Sequence, residues 1–166
     1  MPFAVARRSP TLLMTNTDQT FLQHFEDATL PSEQWHHPEH IKMAYLYLCA
    51  YPFETALPRL RHKIMALNTV HRVPDALTRG YHETITQVWL RLVEFSLDEY
   101  GPAESADDFY AQHPQLAHHR ILRLFYSREH LLSPRAKAEF VEPDLTPLPR
   151  SRKQKGLVRE RDKSPT

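Results

Sequence analysis

Apolar residues recur at helical spacing in four long segments of the chain. In the first, Thr17 or Asp18 can cap a helix that runs to about Thr29 with Phe21, Leu22 and Phe25 inward. Leu30-Pro31-Ser32 ends it. The second starts near His37, with Pro38 at the first helical position and Glu39 facing the positive end of the helix dipole. Ile41, Ala44, Leu48 and Tyr51 follow on one face until Pro52. The third spans Phe53 to Val70, carrying Phe53, Leu57, Leu60, Ile64 and Leu67. The fourth runs from Thr78 or Tyr81 to Tyr100, with Ile85, Val88, Trp89, Leu92 and Phe95 as its stripe and Gly101-Pro102 as its stop. Shorter helices are expected at Ser105–Gln112, Pro114–Phe125 and Ser133–Phe140.

From Val141 to Pro149 the pattern becomes extended and proline-spaced, with apolar residues that suit packing along the body. The predicted organisation is a flexible leader over 1–16, a helical domain over 17–149 and a basic, disordered tail over 150–166. The fold class is all-α, a single-domain bundle of about four longer helices plus short C-terminal helices and an extended tail.

Composition narrows this picture. Three Gly against 14 Pro disfavour a turn-rich β fold and a Gly-rich phosphate loop. The single cysteine, Cys49, excludes an internal disulfide and a Cys-based zinc site, and reads as a small buried apolar residue in a reducing, cytoplasmic setting. The short apolar patch Thr11–Met14 is too small for a signal sequence, and no stretch suits a membrane span. The net charge of +1 divides unevenly, with Arg150–Thr166 at +5 and the rest at −4. A body of that sign is no nucleic-acid surface; nucleic acid is expected at most weakly, through a tail that lacks stacking aromatics.

Chemistry is expected from histidine. Six of the 11 His (His62, His71, His113, His118, His119 and His130) read as surface or packing residues. His37 and His40, three apart at a helix start, share the face that carries Ile41, Ala44 and Leu48. His82 lines up with Thr86, Trp89 and Val93, and Glu83 falls about 100° round from it. If the second and fourth helices are neighbours, His37, His40 and His82 converge as a three-imidazole metal site, with Glu83 as a fourth ligand or as the base for metal-bound water. Glu39 and Thr86 are placed to orient an imidazole. Trp35 and Trp89 flank the two segments as walls or core anchors, and Tyr81 is a pocket residue. H-x-x-H alone is a weak pattern, and the stronger H-E-x-x-H is absent because position 86 is Thr. The run Arg59, Arg61, His62 and Lys63 reads as a solvated face, or as a grip for an anionic ligand.

Phe25-Glu26, Trp35-x-His37-x-Glu39-His40-Ile41, Tyr81-His82-Glu83-Thr84-Ile85-Thr86 and Phe140-Val141-Glu142-Pro143-Asp144-Leu145 together resemble a family of small, mostly uncharacterised bacterial helical proteins. The family has a Phe/Trp-x-His-x-x-His segment followed by Leu, where this chain has Ile41, and then a Tyr-His-Glu-Thr-Ile-Thr segment. The resemblance covers about residues 20–149. It implies that these His and Glu are functional positions, adds Glu26 as a pocket residue and names no substrate.

The leading expectation is therefore a metal-dependent enzyme (a hydrolase, lyase or oxygenase) acting on a small molecule with Zn, Fe, Ni or Cu. The alternative is a non-catalytic ligand- or partner-binding helical domain with a metal-free buried His/Glu network. A third reading makes the cluster a stability element.

Overall fold

The computed structural model describes residues 14–161. The expected leader lies outside the described residues up to position 13, as does the tail from 162. Eight α-helices follow in order: α1 Asn16–Glu26, α2 His37–Ala50, α3 Phe53–Val70, α4 Glu83–Tyr100, α5 Ala106–Gln112, α6 Arg128–Leu131, α7 Pro134–Ala138 and α8 Arg152–Arg161. Short 3₁₀ turns at Ser32–Gln34, Pro114–Ala117 and His119–Leu124 fill the connections. This is an all-α, single-domain bundle of longer helices α2–α4 with shorter helices around them. No described helix is long and apolar enough to cross a membrane.

The bundle is built around α2, which packs against α1, α3, α4 and α5. Its consecutive residues Met43, Ala44, Tyr45, Leu46 and Tyr47 are all buried. A helix apolar on every side must be enclosed on every side, and that places α2 at the centre. Tyr45 stacks on Phe109 at 4.2 Å between ring centroids and donates its hydroxyl proton to Ala103 O, tying α5 to the core. Phe25 of α1 meets the edge of Tyr47. Asp18 is buried and accepts the Ala106 N–H at 3.0 Å, which joins α1 to the first turn of α5.

Several boundaries depart from the sequence reading. Thr15, not Thr17 or Asp18, caps α1, its hydroxyl accepting the Asp18 N–H. That helix stops at Glu26 because Ala28 adopts φ 53°. The region Pro114–Phe125 is not one helix: His118, in extended backbone, splits it into two 3₁₀ turns. Cys49 is exposed at a cavity wall instead of buried. The basic segment expected to be disordered forms α8, docked on α4. Ser151 Oγ donates to Asp98, Arg152 N–H to Glu99 and Gln154 Nε2 to Glu94, at 2.7–2.9 Å.

Candidate functional site

The first turn of α2 brings several histidines together. His36 precedes the helix, and its N–H donates to the Glu39 carboxylate at 3.0 Å. Glu39 is therefore a helix-capping residue; it does not orient an imidazole as expected. His37 is half-buried. Its Nε2 lies 2.7 Å from Leu116 O, so that nitrogen carries the proton and donates to the carbonyl. The ring sits 4.6 Å from Trp89 and 4.1 Å from His119 between centroids. His40 does not point into the apolar interior. It is exposed, with Trp35 against it at 4.2 Å, and Trp35 in turn leans on Phe25.

Burial and the neighbouring His119 push the His37 imidazole below its ordinary range against the pull of the Leu116 carbonyl. The His40 pKa is lowered as well, by dense surrounding protein and then by His37, His119 and His36. The ring is exposed, so the water that reaches it screens part of this effect.

The Tyr81-His82-Glu83-Thr84 run makes its contacts elsewhere. His82 is not on the face of α4; it is the N-cap. Its Nδ1 accepts the Ile85 N–H at 3.2 Å and its Nε2–H donates to Leu131 O at 3.0 Å, so one neutral tautomer uses both nitrogens. Glu83 is buried and points to α3. Arg61 meets it through two nitrogens at 2.9 and 2.5 Å, the Tyr81 hydroxyl donates at 2.7 Å and Gln87 at 2.9 Å. Burial raises the Glu83 pKa, but these hydrogen bonds and the Arg61 charge outweigh it and hold the carboxyl at about 2. Thr86 lies beside the Tyr81 hydroxyl, not beside an imidazole. Lys137 Nζ donates to Tyr81 O at 2.6 Å, and the buried Thr84 hydroxyl donates to Glu139 O while accepting the Val141 N–H. Four successive residues thus each bind a different distant part of the chain.

The expected convergence of His37, His40 and His82 is not found. Among the described residues no three His, Cys, Asp or Glu side chains are grouped to hold a metal ion. The set with His82 and Glu83 does not fit a metal, because every nitrogen and oxygen it would offer already has a protein partner. Glu26 stands apart too, accepting from Tyr47 and from Lys63. Sequence reasoning missed His119 as a neighbour of His37, and it read Arg61 as part of a solvated face or of an anion grip, whereas it is the partner of Glu83. No single-sequence signal marked Arg61; a pairing 22 residues apart between two helices has no period.

Acid should weaken this fold. His37, His40, His82 and His113 all have folded pKa values below 6.5. Below that pH the unfolded chain binds more protons than the folded one, so stability falls as pH falls. Glu83 adds a second loss between its unfolded value near 4.5 and its folded value of about 2. The thermal midpoint should drop on going from about pH 7 to pH 5, and His82→Gln should flatten that slope. A midpoint unchanged over the range would contradict the lowered pKa values of these imidazoles.

No protein-family model matches the chain, and no curated protein or solved structure matches it either.

Proposed function

We propose that the protein is a helical small-molecule-binding domain that meets its ligand with the imidazoles of His37, His40 and His119, between Trp35 and Trp89. One observation carries this reading. His37 Nε2–H donates to Leu116 O, which leaves the Nδ1 lone pair as an acceptor or base beside His119. Imidazoles that each pack against an indole ring suit a flat ligand that offers hydrogen-bond donors. The chain has two Trp, and both border this group. Tryptophan fluorescence therefore reports on the site directly. Catechol, a planar double donor, is expected to quench it saturably near neutral pH and less as the imidazoles protonate. Quenching that does not saturate, or that is unchanged in His37→Ala, would sink the proposal.

A second reading retains the metal. A carbonyl that fixes one nitrogen of His37 is the usual support for a metal-ligating imidazole. Ring rotation would turn His40 and His119 towards a shared Zn, Fe, Ni or Cu, and the protein would then be a metal-dependent enzyme acting on a small molecule. Metal analysis separates the two. Less than about a tenth of an equivalent of any transition metal after reconstitution removes the second reading. One equivalent that is lost in His37→Ala and kept in His82→Ala supports it.

A further inference from the structure

A cavity of about 1950 Å³ lies at the other end of α2 from the histidine group. Its walls come from the C-terminal half of that helix, the start of α3, the C-terminal half of α4 and the chain from Phe140 to Val158. Arg91 of α4 lines it in an unusual setting. Its guanidinium carbon stands 4.8 Å from the Phe53 ring centroid and 5.1 Å from that of Phe140. The two rings cover the guanidinium and hold it in place, which leaves its N–H edge as the part able to bind. The Nε–H is buried without a hydrogen-bond partner. Among the described residues Arg91 forms no ion pair, whereas Arg61, Lys63, Lys137 and Lys42 all do. It is the one buried side-chain donor left open among the described residues, and such a group is costly, so an acceptor from outside the chain is the economical explanation.

The surroundings select that acceptor. Glu54, Glu94, Asp98 and Glu142 also line the cavity. Burial, and then Asp98 and Glu54, raise the Glu94 pKa, and its carboxylate is engaged by Gln154. Arg150, Lys153 and Lys155 also reach the cavity, but its carboxylates outnumber its cations, so the lining tolerates one added negative charge and repels a dianion. Leu48, Leu97 and Leu148 continue the apolar wall beside the phenyl rings. We propose that Arg91 anchors a second ligand site, independent of the histidine group, for the carboxylate of an organic acid with an apolar body. A small outward shift of the covering rings opens Nε–H and a terminal N–H as the fork that matches a carboxylate.

The test uses ¹⁵N-labelled full-length chain and follows the Arg91 Nε–H resonance, assigned by its loss in Arg91→Lys. Phenylacetate or octanoate is expected to shift that resonance saturably. Phenylacetamide and inorganic phosphate should bind at least about tenfold more weakly, as should phenylacetate to Arg91→Lys, read at the Phe53 and Phe140 amides. Absence of a saturable shift with both acids would overturn the proposal. So would equal affinity for acid and amide, or an Arg91→Lys protein that folds normally and binds phenylacetate unchanged. The wild-type titration decides the matter even if the variant is unstable.

Discussion

Replacing Glu83 by Ala is expected to destabilise the protein by about 2–3 kcal/mol, read as a fall in the urea midpoint with an unchanged slope. The Glu83 side chain is 8% exposed and holds Arg61 through two hydrogen bonds. Its removal leaves Arg61, the Tyr81 hydroxyl and the Gln87 amide without their acceptor. Breaking a fully buried ion pair costs about 3–5 kcal/mol. Arg61 keeps 37% of its side-chain surface, so water recovers part of that loss. Glu83→Gln should cost less, about 1–2 kcal/mol, because the amide oxygen still accepts one donor. The double variant Arg61→Ala with Glu83→Ala should lose less than the sum of the single changes, since the second removal deletes a charge that the first has already stranded. If Glu83→Ala left stability intact and instead abolished metal uptake, the carboxylate would be a ligand after all.

The boundaries of α2 and α3 were legible because each is set locally. Pro38 and Glu39 suit a first turn, Pro52 cannot continue a helix, and the apolar spacing between them is regular. The start of α4 was misplaced because its cap is an imidazole, outside the usual Ser, Thr, Asp and Asn set. That error carried into the site. A His within the helix would face the bundle beside Trp89, whereas a His at the cap spends its Nδ1 on the Ile85 N–H. His119 was missed for a related reason. A continuous helix over Pro114–Phe125 makes His118 and His119 neighbours on a surface. The extended backbone at His118 instead carries His119 onto His37. His37, His40, Trp35 and Trp89 were singled out by residue type and spacing, but His119 was not. The grouping was not readable, because it depends on how the 114–124 turns and α3 lie against α2 and α4.

Thr84→Val should test what the Tyr81-His82-Glu83-Thr84 run does, at an expected cost of about 2–3 kcal/mol. The side chains have nearly the same shape, so packing changes little. Two hydrogen bonds disappear. The Thr84 hydroxyl donates to Glu139 O at 2.9 Å and accepts the Val141 N–H at 3.1 Å, and Thr84 is fully buried. The Val141 N–H then has no acceptor in a buried setting, while the carbonyl of the exposed Glu139 is better placed to regain water. Thr84→Ser keeps both bonds and loses only a methyl group, so it should stay within about 1 kcal/mol of the wild type. Amide exchange at Val141 should accelerate in the Val variant. That segment is held at one further point, where the Tyr126 hydroxyl donates to Val141 O at 2.8 Å. Loosening it would also disturb Phe140, which covers one face of Arg91. A Val variant as stable as the wild type would mean that the run does not clamp the C-terminal chain. Its reading as a ligand-handling segment would then be the stronger one. Loss of stability in Val and recovery in Ser would instead assign the most distinctive motif of the chain to architecture, and would leave recognition to the imidazoles of α2 and the 114–124 turns.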